Sequence, residues 1–322
     1  MQQPLLTVDN LNVTFKTAQG TVTAVDGVSF TVGQGANLGI VGESGCGKSV
    51  TALSLMGLVP SPPGTVKANA LTFAGRDLLR LTPAEYRRLR GREMGMVFQE
   101  PMTSLNPVFT IGNQIMEAVR THFTVSRRQA RELAVAMLDR VGMPEPAKLL
   151  ADYPHQLSGG MRQRVMIAMA LICKPKLLLA DEPTTALDVT IQAQVLDLMQ
   201  ELRREMGMSM IMITHDLGVV AEVAEQVAIM YAGMIVEKGT AEALFQQPLH
   251  PYTKGLLNSI PRLDQPGKRL TAIPGMVPDM LHIPRGCRFA NRCRQAMAVC
   301  RDQVPGVVVP EPGHQVCCWL YS

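Results

Sequence analysis

The sequence predicts an α/β fold in which short buried strands feed a glycine-rich loop, and three observations carry that prediction. Residues 42–49 read Gly-Glu-Ser-Gly-Cys-Gly-Lys-Ser, directly after the apolar run Asn37–Val41. A second apolar run, Leu177-Leu-Leu-Ala, ends in the adjacent carboxylates Asp181 and Glu182. Residues 5–32 alternate apolar and polar side chains, with Leu11, Val13 and Phe15 and then Val22, Ala24, Val28, Phe30 and Val32 on the repeat. A period of two is the mark of half-buried antiparallel strands, whereas a short unbroken apolar run marks a fully buried strand.

Each element follows from its local chemistry. The alternating segment breaks near Gly20 and reads as two strands joined by a turn. Asn37–Val41 is a buried strand, and Ser49 to Leu58 reads as a helix stopped by Pro60, Pro62, Pro63 and Gly64. Met94–Phe98 is a further strand. Residues 111–143 turn helical and polar-rich, within a helical insert at about 100–155. Lys176–Ala180 and Met208–Thr214 are buried strands, and residues 241–260 close the main domain. Beyond about 255 the chain is rich in Pro, Cys and Arg with little periodicity. The sequence therefore predicts two domains, 1–255 and 256–322.

The glycine loop carries the most specific chemistry. Gly-x4-Gly-Lys-Ser is a P-loop: successive backbone N–H groups wrap phosphate oxygens at the positive end of the following helix. Gly42, Glu43, Ser44, Gly45, Cys46, Gly47, Lys48 and Ser49 form the candidate phosphate cradle. Gly42, Gly45 and Gly47 suit positions of unusual dihedrals or close approach. Lys48 neutralises phosphate charge, and the Ser49 hydroxyl is placed for Mg²⁺. The pair at the end of 177–182 completes the set, with Asp181 toward the metal and Glu182 as general base on the attacking water. A solvated Asp-Glu pair at a strand end is the bland alternative, and the upstream P-loop decides against it.

Composition bounds what the chain does. The 322 residues suffice for one large domain and an appendage. No stretch reaches the roughly 18–20 apolar residues that a membrane-spanning helix needs. The N-terminus lacks the basic-then-apolar pattern of a secretory signal. The formal charge of +4 sits in the tail, where residues 256–322 hold eight basic and four acidic side chains, while the rest is neutral. A neutral main domain argues against nucleic-acid binding. These readings place the chain in the cytoplasm, free to dock on a membrane protein.

Further segments resemble the ATP-binding cassette family. Leu157-Ser-Gly-Gly-Met161, followed by Arg162-Gln-Arg164, is similar to its signature segment, with Met where the family usually has Gln. The resemblance implies that Ser158, Gly159 and Gly160 contact the γ-phosphate of ATP held by a second subunit. Gln99 resembles the Q-loop glutamine, which reaches Mg²⁺ and the water. Ala186-Leu-Asp188 resembles the D-loop, and His215 the switch histidine that holds the γ-phosphate. An aromatic residue near the first strand stacks on adenine in this family, and Phe15 is the candidate, although Leu11 and Val13 share its face. The implied fold is a RecA-like P-loop NTPase core with an antiparallel β subdomain and an α-helical signature subdomain, plus a small Cys-rich C-terminal domain.

Three stretches extend the resemblance to the ATPase subunits of oligopeptide/dipeptide permeases: Gln99–Pro107, Tyr153-Pro-His-Gln156 and His250-Pro-Tyr-Thr-Lys254. It implies two integral membrane subunits, a second ATPase subunit (a paralogue), an external solute-binding protein, and a seat on the cytoplasmic face of the inner membrane. A cytoplasmic helix of the membrane subunit would sit beside Gln99 and the helical insert. Nickel–chelate, glutathione or another peptide-like solute is the alternative cargo. A soluble ATPase acting on nucleic acid or ribosomes is the competing class, and the single cassette and short insert count against it.

Five of the seven cysteines fall in the last 36 residues, as Cys287-x5-Cys293-x6-Cys300-x17-Cys318 with Cys317 adjacent. Four thiolates can hold a [4Fe–4S] cluster or zinc, and the absence of a close Cys-x2–4-Cys pair counts against zinc; no bound metal is the third possibility. The spacing resembles that of dipeptide-permease ATPase tails, where an iron–sulfur cluster is the expected occupant and Cys318 the preferred fourth ligand. Arg285, Arg288, Arg292, Arg294 and Arg301 are expected to surround the cysteines, balance the cluster's negative charge and lower the thiol pKa values.

Overall fold

Periodicity becomes architecture in a computed structural model that describes residues 3–100, 104–185, 187–259 and 272–322. Among these, the strands in chain order are β1 (Leu6–Thr17), β2 (Gly20–Val32), β3 (Asn37–Val41), β4 (Gly64–Lys67), β5 (Ala70–Phe73), β6 (Arg76–Asp77), β7 (Met94–Val97), β8 (Leu177–Asp181), β9 (Ser209–Thr214), β10 (Gln226–Tyr231), β11 (Met234–Thr240), β12 (Val308–Glu311) and β13 (His314–Val316). The chain divides into two compact units. One comprises Met1–Gly33, Asn37–Arg80 and Met212–Ser322; the other comprises Gln34–Ala36 and Leu81–Ile211.

The first unit contains the expected hairpin. β1 and β2 pair antiparallel from Leu6↔Val32 to Thr17↔Gly20, and β4 and β5 pair along β1. Leu6, Val8, Leu11, Val13, Val28, Phe30 and Val32 are buried by the alternation that the sequence shows. All five residues of β3 are buried, and β3 lies parallel to β10 from Leu38↔Gln226 to Val41↔Ile229. Burial on both faces is what a parallel strand needs, and it explains the unbroken apolar run. β10 continues antiparallel into β11, and β11 pairs with β13 at Glu237↔Val316 and Lys238↔Gln315.

The tail is thus sewn into the sheet of the first unit, which the weak periodicity after residue 255 did not foretell. A buried polar hub explains the join. The Glu237 carboxylate accepts the N–H groups of Leu249 (2.7 Å) and His250 (2.9 Å) and lies 2.8 Å from His314 Nε2. His250 in turn caps the helix Pro251–Asn258, its Nδ1 accepting the Tyr252 N–H at 3.0 Å. Burial, and secondarily the charge of Lys254, lowers the His250 pKa to about 3, so its ring stays neutral and able to accept.

In the second unit, β7 and β8 pair in parallel from Met94↔Leu177 to Val97↔Ala180, and all residues of both are buried. The helical region resolves into Ile111–His122 and Arg127–Arg140, each started by a hydroxyl that accepts a backbone N–H: Thr110 from Asn113, and Ser126 from Gln129 in a full capping box. Thr82 and Glu85 form another capping box ahead of Pro83–Leu89, a helix absent from the sequence reading. Among the described residues no helix is long and apolar enough to cross a membrane.

Candidate functional site

The first unit holds the phosphate loop. β3 delivers Gly42, and the helix Lys48–Leu55 starts at Gly47. The glycines are required by sterics at both ends. A Cβ on Gly42 would lie 2.2 Å from the Met230 carbonyl oxygen. Gly47 has φ of 103°, and a Cβ there would lie 2.4 Å from the Ala24 carbonyl oxygen. Neither clash can be relieved by a rotamer, because both partners are backbone. Lys48 is buried, and its ammonium donates to the carbonyls of Gly42 (2.7 Å) and Glu43 (3.1 Å). Cys46 is buried beneath the loop; burial raises its thiol pKa above the ordinary value, against the opposing pull of Lys48. Ser44 and Gly45 face outward, while Ser49 is half-buried in the first helical turn.

Glu43, a variable position within the candidate cradle, is held from both its backbone and its side chain. Its N–H donates to the Tyr252 phenol oxygen (3.0 Å). Its carboxylate accepts two bonds from the Arg292 guanidinium, at 2.7 and 3.0 Å. His215 stands just past β9 and is exposed, followed by Asp216, whose carboxylate caps the helix Leu217–Val223 through Gly218 N–H at 2.8 Å. Phe15 is half-buried in β1, opposite Val22, while Leu11 and Val13 are fully buried.

The second unit holds the acidic pair and the glutamine. Asp181 ends β8 and is buried. Glu182 follows with φ of 47°, a left-handed conformation unusual for a residue with a side chain. Such strain persists where the surroundings fix it, and active sites are where it collects. The Glu182 carboxylate accepts from Thr185 Oγ1 (2.9 Å) and from Gln99 Nε2 (3.2 Å). The structure therefore brings Gln99 and Glu182 together across 83 residues of sequence. Ser158 caps the helix Gly159–Leu171, its hydroxyl accepting the Met161 N–H at 3.3 Å, so Gly159 and Gly160 form the first turn with outward amide donors. Asp188 caps the helix Val189–Met206, while Ala186 and residues 101–103 lie outside the described residues.

In the tail, the Cys293 and Cys300 sulfurs each accept a backbone N–H at 3.4 Å, from Gln295 and Met297 respectively. Cys317 differs: its thiol donates to the Ile235 carbonyl at 3.4 Å. Burial raises the pKa values of Cys287 and Cys317 to about 11 and those of Cys293 and Cys318 by less. The strongest charge effects on Cys287 and Cys293 come from neighbouring thiols. The expectation that arginines lower these pKa values is therefore wrong for them. Arg288 is turned instead to Asp26 and the Ala232 carbonyl, and Arg292 to Glu43. Among the described residues no group of three or more His, Cys, Asp or Glu side chains stands close enough to hold a single metal ion.

Comparison with known proteins agrees with this geometry. Residues 25–185 match the ABC transporter family, and residues 236–300 match the oligopeptide/dipeptide transporter C-terminal region. The dipeptide transport ATP-binding protein DppD of Bacillus subtilis is 54% identical over 318 residues, covering 99% of this chain and 95% of that protein. The oligopeptide transport ATP-binding protein OppD of Haemophilus influenzae is 52% identical, over 98% of this chain and 97% of its own length. Among solved structures, the ATP-binding cassette MJ0796 in a post-hydrolysis dimer bound to ADP and Pi superimposes with a TM-score of 0.64 at 26% identity, over 73% of this chain and 98% of its own. Motifs, strand order within each unit and near full-length likeness point the same way, and the chain belongs to the ABC transporter family, among its ATP-binding proteins with the oligopeptide/dipeptide transporter C-terminal region.

Proposed function

We propose that this chain is the ATP-hydrolysing subunit of an importer for dipeptides and oligopeptides. The observation that carries the cargo class is the likeness to DppD and OppD, which runs through the tail as well as the cassette. In this reading Gly42–Ser49 cradle the β- and γ-phosphates, Lys48 neutralises them, and Ser49, Asp181 and Gln99 hold Mg²⁺. Glu182 is the base that takes a proton from the attacking water, and His215 holds the γ-phosphate. Phe15 stacks on adenine.

Ser158, Gly159 and Gly160 serve the ATP of a second cassette subunit, so each nucleotide is sandwiched between two chains. The outward first turn of the helix Gly159–Leu171 supports that role, because it offers N–H donors and a hydroxyl to an anion. Closure of the two cassettes on ATP would move two membrane permease subunits, and hydrolysis would reset them. The chain would sit on the cytoplasmic face of the membrane, served by an external solute-binding protein. Residues 1–255 form the cassette in this reading, and 256–322 a regulatory C-terminal domain. Affinity purification of the full chain from membranes checks the assembly. Integral membrane subunits should co-purify, and ATPase activity of the complex should rise with a peptide-loaded binding protein. Recovery with ribosomes or DNA instead would overturn the reading.

For the tail we propose a [4Fe–4S] cluster on Cys287, Cys293, Cys300 and Cys318. Two features of the chain support it. The Cys293 and Cys300 sulfurs each accept a backbone N–H, an arrangement that stabilises thiolates and tunes clusters. Cys317, committed to the Ile235 carbonyl, is set apart from them. A bound cluster would supply a covalent staple for a loop-rich segment. Anaerobically purified protein should show a visible charge-transfer band with stoichiometric iron and acid-labile sulfide. Stoichiometric zinc without that band, or neither metal, would overturn the assignment.

A further inference from the structure

We infer that the tail segment from Cys287 to Cys293 sets the shape of the phosphate loop, with Arg292 and Tyr252 as positioning residues for ATP binding. The inference rests on the reading of residues 42–49 as the ATP site and adds a control over it that lies outside every nucleotide motif.

The tail grips the loop at both ends. At the start, Arg292 holds the Glu43 carboxylate in a two-bond clamp, and its side chain is only 6% exposed. Its geometry is fixed from behind. Arg292 Nε donates to the Pro274 carbonyl (3.0 Å), and the guanidinium lies against the rings of Tyr231 and Phe289. Tyr252 accepts the Glu43 N–H, and its ring packs on Tyr231 and Phe289 with centroids 4.6 and 5.4 Å away. At the far end of the loop, Arg288 donates to the Ala232 carbonyl and pairs with Asp26. The next residue, Gly233, donates its N–H to the Cys46 carbonyl (2.9 Å) and accepts from Asp26 N–H (2.8 Å). Both arginines therefore act on the loop, one directly and one through the β10–β11 turn.

The consequence for Lys48 is specific. Its ammonium donates to the Glu43 carbonyl, so whatever fixes Glu43 also fixes the residue expected to meet phosphate. A bidentate guanidinium–carboxylate pair is charge-assisted and orientational, well suited to hold a loop rather than merely to neutralise it. The two arginines lie between Cys287 and Cys293 in the sequence.

The test uses the full chain and equilibrium binding of a fluorescent ATP analogue. Arg292→Ala and Glu43→Gln should each weaken binding about tenfold, equivalent to about 1.4 kcal/mol. The double variant should be no weaker than either single one, because both remove the same contact. Arg292→Lys should recover part of the loss, and in the assembled complex KM for ATP should rise with little change in kcat. Tyr252→Phe should weaken binding with the thermal transition retained. Unchanged affinity in Arg292→Ala and Glu43→Gln, or fully additive losses in the double variant, would overturn the clamp. Should Arg292→Ala fail to fold, Glu43→Gln and Arg292→Lys still decide. Lys48→Ala serves as the control for the site itself: loss of binding there with wild-type affinity in the clamp variants rejects the clamp alone, whereas retained binding in Lys48→Ala rejects the ATP-site reading beneath it.

Discussion

Glu182→Gln is expected to bind ATP normally and to lose turnover by about 10²-fold or more, the range over which a positioned general base acts. The substitution keeps shape and hydrogen bonding, and removes only the capacity to take a proton. Gln99 and Thr185 would still meet an oxygen at position 182, since an amide carbonyl can accept from both as the carboxylate does at 3.2 and 2.9 Å. The left-handed backbone at 182, φ 47°, is equally unaffected by the change. Binding and chemistry should therefore separate cleanly. The measurement is steady-state ATPase activity of the assembled complex beside nucleotide affinity of the isolated chain. Near wild-type turnover would remove Glu182 from the role of base and shift attention to Asp181.

Lys48→Ala should act on the other side of that division, with ATP affinity falling about a hundredfold, or roughly 2.7 kcal/mol. Two effects contribute. The β- and γ-phosphates lose a charge-assisted donor in a buried setting, where the side chain is only 5% exposed. The carbonyls of Gly42 and Glu43 lose the ammonium that gathers them at 2.7 and 3.1 Å, so the loop is also less ordered before nucleotide arrives. Isothermal titration with MgATP reads the loss, and an accompanying thermal melt separates it from unfolding. Because Lys48 contacts loop carbonyls, the melt should change far less than the affinity.

Much of this was legible from residue order, for reasons that differ by element. β1 and β2 announce themselves because a two-residue period is local and Leu11, Val13, Val28 and Phe30 all obey it. β3, β7 and β8 are legible as apolar runs because each is buried throughout. The glycine loop is legible because the steric demands at Gly42 and Gly47 admit no other residue. The pairing of Gln99 with Glu182 was reachable only through resemblance, since 83 residues separate them. The hairpin of β12 and β13 escaped because both strands are short and carry Pro310, Glu311 and His314, and because the pairing that places it is a long-range contact to β11.

The arginines were misplaced for an instructive reason. Proximity in sequence to Cys287 and Cys293 suggested that their charges serve the thiols. A guanidinium reaches some distance from its backbone, however, and goes to the best acceptor within range rather than to its sequence neighbour. For Arg288 and Arg292 those acceptors are carboxylates and carbonyls of the cassette: Asp26, Glu43 and Ala232. The motif His250–Lys254 also contacts the cassette: His250 caps its own helix, and the Tyr252 phenol oxygen accepts the Glu43 N–H.

The separation of 249 positions between Glu43 and Arg292 also imposes an order on biosynthesis. A ribosome delivers the phosphate loop early and the residue that clamps it near the end. Between His215 and Arg292 the nascent cassette therefore carries every nucleotide motif with one side of the loop unbraced. Contacts of such long sequence separation form late in folding, after the intervening chain has been ordered. A product cut short before residue 288 would keep every motif by which an ATPase is recognised, and the Tyr252 contact, but lack those of Arg288 and Arg292.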